Sequence, residues 1–324
     1  MKIDDVLVVG GSGFVGHHVC AELARRGAKL TVPARRRERA KDLILLPTVD
    51  VVEADVNQPG VLEGLLRGKQ AVINLVGILH GRRGRAAERG PNNYGPDFAR
   101  AHVELPQAIV SACRAAGVRR LVHVSALGAS PQAPSDYLRS KGIGEQVVLA
   151  AEDLDVTVFR PSVVFGPEDK FLNRFAELAR FLPVLGVPCP DARFQPVYVR
   201  DVARAIALSL DDMVSHGWRY DLGGPREYTL KALVELVCRI TRRSRWVVGL
   251  PDRLSRLQAW VLEKLPGELM SRDNLASMEV PSVTSAPFPF GLQPEALEAV
   301  APSYLPPVDP FELYPALRLR KRRP

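Results

Sequence analysis

Three glycines at three-residue steps, Gly10, Gly13 and Gly16, sit in the run Gly10-Gly11-Ser12-Gly13-Phe14-Val15-Gly16. The apolar run Val6-Leu7-Val8-Val9 leads directly into them, and a helical pattern from Phe14 to Arg26 leads directly out. In that setting the chemistry is anion binding. Glycines permit a tight turn and a close backbone approach, and the amides at a helix N-terminus face a pyrophosphate. Gly10, Ser12, Gly13, Phe14, Val15 and Gly16 form this candidate cradle; the alternative is an ordinary glycine turn.

A dinucleotide site of this kind is tuned at the end of the second strand. An Asp or Glu there accepts from a ribose 2′-hydroxyl, whereas a guanidinium suits a 2′-phosphate. The chain reads Val32-Pro33-Ala34-Arg35-Arg36-Arg37, with no acid at the tip. Arg35, assisted by Arg36 or Arg37, points to NADP(H) over NAD(H). Asp55-Val56 follows the third apolar run, where the carboxylate either accepts from an adenine amino group or caps a turn. Asn74-Leu75-Val76-Gly77 closes the fourth, where small residues let a cofactor lie against the backbone. Asn74, Val76 and Gly77 join the candidate set.

Tyr137-Leu138-Arg139-Ser140-Lys141 puts a phenol and an ammonium at i and i+4, on one helix face. A lysine beside a tyrosine favours phenolate and can bond a nicotinamide ribose, so Tyr137 reads as a general acid or base. Ser125, twelve positions earlier at the end of an apolar run, could polarise a carbonyl. The catalytic candidates are Tyr137, Lys141 and Ser125. His17, His18 and His123 read as packing or solvent residues, while His80 and His102 flank a basic insertion.

Positioning these groups requires alternating elements. Strands are expected at Val6–Val9, Leu30–Val32, Val51–Glu53, Ala71–Val76, Leu121–Val124 and Val156–Phe159. Helices are expected at 14–26, 61–66, 99–116 and 142–151, and later at 203–210 and 230–240. Short apolar strands alternating with helices predict an α/β fold, a parallel sheet covered on both faces. The second half is proline-dotted and loses the rhythm. The expected division is a nucleotide-binding domain over 1–160, a C-terminal portion interleaved with it over 161–300, and a proline-rich basic tail over 301–324.

The 324 residues are 46% hydrophobic and 25% charged, which excludes wholesale disorder. The formal net charge is +8, concentrated in Arg35–Asp42, Arg82–Arg89 and Arg318–Arg323. That argues for local anion sites and against a nucleic-acid face. The four cysteines have neither disulfide-framework nor metal-ligand spacing, so free thiols in a reducing compartment and no metal are expected. No apolar run approaches the roughly 18 residues of a spanning helix, and Met1-Lys2-Ile3-Asp4-Asp5 is not a secretion signal. A cytoplasmic protein is expected, with attachment to the inner membrane face left open. Between Leu250 and Leu265, an apolar stripe runs through Leu250, Leu254, Leu257, Val261 and Leu265. Such faces usually close a core, so it is expected to pack on the protein's own sheet domain. The tail is expected to carry a weak attraction to anionic membranes.

Gly10, Gly13, Gly16, Asp55, Asn74, Ser125, Tyr137 and Lys141 together resemble the short-chain dehydrogenase/reductase superfamily. Arg160-Pro161-Ser162-Val163-Val164-Phe165-Gly166-Pro167 and Pro196–Ala203 are similar to its extended and atypical branch, which adds Pro161 to the cofactor-binding set. Val122–Ala129, Tyr137–Lys141, Phe165–Asp169, Phe194–Val197 and Tyr220–Pro225 resemble the family of the nucleotide-binding accessory subunit of respiratory complex I. That family is the alpha-subcomplex subunit nine and its bacterial relatives. The resemblance implies a Rossmann-type, doubly wound sheet holding NADP(H), in a protein of respiratory complex I or of quinone metabolism. The superfamily's other implication is an oxidoreductase or epimerase acting through Tyr137 and Lys141 on a lipid-like or sugar-nucleotide substrate. One departure stands out: extended enzymes place their Ser or Thr slightly later than Ser125, where this chain has Ala126 and Leu127.

Overall fold

The computed structural model describes residues 2–82, 94–263 and 270–305. In chain order the first half forms β1 (Asp5–Val9), α1 (Phe14–Arg25), β2 (Lys29–Ala34), β3 (Val49–Glu53), α2 (Val61–Leu66) and β4 (Ala71–Asn74). It continues with α3 (Pro96–Ala99), α4 (Leu105–Ala116), β5 (Arg120–Val124), α5 (Asp136–Leu149) and β6 (Asp155–Pro161). The second half holds β7 (Val164–Phe165), α6 (Leu172–Phe181), β8 (Val184–Val187), β9 (Arg193–Phe194), β10 (Val197–Tyr198) and α7 (Val199–Ser209). After these come β11 (Arg219–Leu222), β12 (Tyr228–Thr229), α8 (Leu230–Ile240), β13 (Trp246–Gly249), α9 (Asp252–Leu262), α10 (Arg272–Met278) and α11 (Leu297–Val300).

Seven parallel strands lie in the order β3-β2-β1-β4-β5-β6-β11. Alternation along β1 shows why both faces are covered. Val6 and Val8 face a core shared with α1 and α7, whereas Leu7 and Val9 face one shared with α2 and α4. With both faces buried, every strand position must be apolar, and β1 reads as an unbroken apolar run for that reason. The order reverses between β1 and β4, so the crevice at their carboxyl ends is the topological switch point. This is the Rossmann-type doubly wound sheet expected, with a smaller C-terminal portion. That portion closes its own core around Phe165, Leu172, Leu185 and α8.

Several boundaries differ from expectation. The helix expected from Gly142 begins at Asp136, capped by Ser135 Oγ accepting from Leu138 N at 3.1 Å. The stretch expected as one helix from 99 to 116 is broken by a π turn at Arg100–Glu104, between α3 and α4. The fourth strand stops at Asn74, whose Oδ1 accepts from Val76 N at 3.1 Å and turns the chain. A seventh strand was not anticipated: Arg219-Tyr220-Asp221-Leu222 is short and alternates charges, yet it pairs with β6 at the sheet's edge. The stripe on α9 points away from the body. Ser255 and Ala259 are its buried residues; Leu254, Leu257 and Val261 are exposed, Leu250 is half-buried before the helix, and Leu265 lies outside the described residues. The expectation that this stripe closes a core is therefore corrected. Among the described residues no helix is long and apolar enough to cross a membrane.

Candidate functional site

The glycine run lies at the carboxyl end of β1, beside the switch point. Gly10 has φ +85°, a left-handed conformation that suits glycine, and a Cβ there would stand 3.0 Å from Val76 N. A Cβ on Gly16 would stand 2.4 Å from the Gly10 carbonyl oxygen and 2.5 Å from that of Gly11. Helix and turn can therefore pack at this distance only without a side chain at Gly16. Gly11, outside the three-step pattern, is crowded as well, with Val32 at 2.8 Å from a would-be Cβ. The N-terminus of α1 has no side-chain cap and no acid in its first turn. Its amides and the positive end of its dipole remain available to an anion, with Ser12, Phe14 and Val15 around them.

The tip of β2 delivers Arg35, Arg36 and Arg37, all exposed. Arg36 precedes a 3-10 turn over Arg37–Leu45 that folds back on β3. Asp55 Oδ1 accepts from Asn57 N at 3.1 Å and from Asn57 Nδ2 at 2.7 Å. Those two bonds hold its carboxyl below the ordinary range, with a smaller pull from Arg35. The turn-capping alternative for Asp55 is thus present in the protein, and Arg35 lies within electrostatic reach of it. Val56 is half-buried against the α2–α4 core.

Lys141 is the centre of the other end. Its Nζ donates to Val76 O and Val124 O, both at 3.0 Å, and a Cβ on Gly77 would stand 3.2 Å from it. The lysine therefore ties the ends of β4 and β5 together. Burial lowers its pKa to about 8, partly opposed by the buried Glu145 carboxylate. Tyr137, one turn earlier, packs between Phe98 and the edge of His102. Burial pushes its phenol up to about 12. The expected pull of Lys141 toward phenolate is not seen, because burial dominates and the ammonium is committed to two carbonyls. Ser125 follows Val124 directly. Its amide donates to Phe159 O at 2.8 Å, but its hydroxyl is buried and has no hydrogen-bond partner among the described residues. Asn74 is also buried, with Nδ2 3.2 Å from His123 Nδ1. Pro161 ends β6 and its carbonyl accepts from Leu127 N at 3.0 Å.

Two structural groups escaped the sequence reading. His102, on the π turn, accepts from Ile78 N at 3.1 Å through Nε2. Its Nδ1 therefore carries the proton and donates to Ser140 Oγ at 2.8 Å, and Ser140 in turn donates to Tyr137 O at 2.9 Å. Burial lowers the imidazole pKa, so it stays neutral. Glu145, almost fully buried, takes a fork from Arg160, with Nε at 2.8 Å. A signal for the first did exist: Gly142 and Gly144 inside a helix cost stability relative to Ala unless something needs the space. A Cβ on Gly144 would stand 1.8 Å from His102 O.

A switch-point crevice, a bare helix end over a glycine turn and a Tyr-x-x-x-Lys pair define a class, and the chain belongs to the NAD dependent epimerase/dehydratase family, matched over residues 6–223. Within that class it is similar to NADH dehydrogenase (ubiquinone) 1 alpha subcomplex subunit 9 of mitochondria. Against the Arabidopsis thaliana protein it is 33% identical, over 82% of this chain and 65% of the relative. Against the Rattus norvegicus protein it is 30% identical, over 90% of this chain and 77% of the relative. The chain thus spans about two thirds of the plant relative's length. A ceramide reductase from Caulobacter vibrioides is 33% identical over 61% of this chain and 58% of its own. Among solved structures, a nucleoside-diphosphate-sugar epimerase from Staphylococcus aureus superposes with TM-score 0.70 at 16% identity. That match covers 91% of this chain and 98% of the epimerase. A dTDP-glucose 4,6-dehydratase from Streptomyces venezuelae, with NAD bound, superposes with TM-score 0.64 at 24% identity, covering 77% of this chain and 85% of that one. These last two likenesses are likenesses of fold.

Proposed function

We propose that this protein holds NADP(H) at the switch point and serves as an accessory or assembly protein of a quinone-linked respiratory membrane complex. The observation that carries the nucleotide is the cradle. Side chains at Gly10 and Gly16 would collide with backbone, and the uncapped α1 end faces outward. The residues fit a dinucleotide. Gly10 to Gly16 take the pyrophosphate, Arg35 with Arg36 takes a 2′-phosphate, and Asp55 with Val56 borders the adenine. Asn74, Val76, Gly77 and Pro161 line the backbone wall, and Lys141 reaches the nicotinamide ribose. Residues 1–160 supply this site, joined by Pro161 at their boundary, and 161–300 close over it. The partner is supported by the mitochondrial relatives, named as subunits of a ubiquinone-linked NADH dehydrogenase, which match most of this chain's length. A cytoplasmic position on the inner membrane face follows from that partner. The test is to purify the protein, release the nucleotide by acid and identify it by mass. A separate pull-down from solubilised membranes reads the partner.

A second reading is supported by the Ser125 hydroxyl, buried next to the lysine tie without a hydrogen-bond partner among the described residues. An unsatisfied buried hydroxyl has a cost that a substrate carbonyl would relieve. In that reading a bound reduced nicotinamide would supply the hydride to a carbonyl carbon. Tyr137, a neutral phenol at pH 7, donates its proton to the carbonyl oxygen, and Ser125 polarises that carbonyl. The reductase relative favours a lipid-like substrate. Turnover of NADPH with a panel of keto-lipids and nucleotide sugars, lost in Tyr137→Phe, would establish it.

A further inference from the structure

The outer face formed by α9, the β8–β13 pair and the end of α6 is apolar where a surface should be polar. Phe181 and Trp246 are 70% and 76% exposed, and Leu182, Val184, Val248, Leu254, Leu257 and Val261 are all exposed as well. Val184 and Trp246 are register partners, and Trp246 N donates to Pro183 O at 3.1 Å. Gln258 Nε2 reaches Gly186 O at 3.1 Å, which seats α9 against β8. The helix is inside out for a core-facing helix: the small Ser255 and Ala259 point in, and the three- and four-step stripe points out.

Charge identifies what would cover it. Of the seven charged residues from Arg239 to Arg256, only Asp252 is acidic. Arg242, Arg243, Arg253 and Arg256 form no ion pair with a described residue. An apolar stripe along a helix, with arginines beside it that pair with no described residue and tryptophan at its border, matches the interfacial layer of an anionic bilayer: acyl chains meet the stripe and phosphates meet the guanidinium groups. We propose that this face docks on an anionic membrane surface, with α9 lying in the headgroup layer. This deepens the accessory reading by naming α9 as a surface that brings the protein to a membrane; the basic tail, from 306 on, lies outside the described residues.

The test uses the full chain and flotation with phosphatidylcholine vesicles, with and without phosphatidylserine, at low and physiological salt. Wild-type protein is expected to float with the anionic vesicles. Leu254→Ser/Leu257→Ser should lower partitioning by about tenfold or more through lost apolar burial. Arg253→Gln/Arg256→Gln should lower it by a similar factor on anionic vesicles only, since each arginine near the surface contributes roughly fivefold. Trp246 emission should shift to the blue on binding, read as the difference from Trp246→Phe. The proposal is overturned if neither salt gives flotation, or if Leu254→Ser/Leu257→Ser floats like wild type. It is equally overturned if replacing Arg318, Arg320, Lys321, Arg322 and Arg323 with Gln alone abolishes flotation. It also falls if light scattering shows that the leucine variant only dissociates a dimer, with vesicle binding unchanged. Nucleotide content measured by mass on the same samples separates failure of the docking face from failure of the nucleotide reading.

Discussion

Gly13→Ala and Gly16→Ala should fail in different ways, and the difference tests the cradle. A Cβ at Gly16 would lie 2.4–2.6 Å from three backbone atoms of Gly10 and Gly11. None of those atoms can swing aside as a side-chain tip would, so α1 must move off the turn. Overpacking of that kind costs about 2–3 kcal/mol, a Tm drop of roughly 4–10 °C for a domain of this size. Gly13 has φ −88° and ψ 174°, which alanine adopts without strain, and a Cβ there would meet only the Gly10 carbonyl oxygen, at 3.3 Å. Folding should change by less than about 1 kcal/mol. The methyl would instead stand at the mouth of the helix, where a pyrophosphate must come against the amides. Affinity for NADPH should fall about tenfold or more, or roughly 1.4 kcal/mol and upward. Differential scanning calorimetry reads the first quantity and isothermal titration the second. A Gly13→Ala protein that binds nucleotide as tightly as wild type would refute the cradle. So would a Gly16→Ala protein with an unchanged Tm, since the close approach could then not be what excludes a side chain.

Arg35→Asp should weaken NADPH about tenfold or more while weakening NADH little, because a charge-assisted contact to a phosphate contributes about 1.5–3 kcal/mol; equal losses would show that Arg35 does not read the 2′-phosphate. Tyr137→Phe should retain nucleotide and lose any turnover, whereas Lys141→Met should lose nucleotide affinity, both read by titration and by NADPH absorbance. Lys141 also predicts a pH signature. Its folded pKa, about 8, lies below its unfolded value, so the unfolded chain holds more protons between about 8 and 10.5. The burial penalty of the charged lysine is fully present below pH 8 and is relieved as pH rises. Wild type should gain up to about 3 kcal/mol relative to Lys141→Met across that window, measured by denaturant unfolding at several pH values. A flat difference would mean that Lys141 titrates normally. Gly144→Ala should lower Tm by several degrees, because the new methyl would meet His102 O in the π turn; an unaltered Tm would show that α5 can shift freely.

The doubly wound sheet, the glycine turn between β1 and α1, and the placing of Tyr137 one helical turn before Lys141 were legible because each rests on local physics. Parallel strands buried on both faces must be apolar along their length, so β1, β4 and β5 announce themselves. A glycine turn between strand and helix has few other uses, and i,i+4 spacing needs only a helix. What was hidden depends on neighbours distant in sequence. β11 is too short and too charged to read as a strand, and the edge of β6, some sixty residues earlier, makes it one. Gly142 and Gly144 are helix-weakening residues inside α5, and their reason, the approach of Ser130 and His102, is equally distant in sequence. The pKa of Tyr137 could not come from its spacing to Lys141, because burial and the two carbonyls that occupy the ammonium are products of the closed fold. The same holds for α9. Its periodicity showed that one face is apolar, but periodicity does not say which face the rest of the protein covers. Small residues at Ser255 and Ala259 let the helix pack closely on that side, and the larger apolar side chains were left outside.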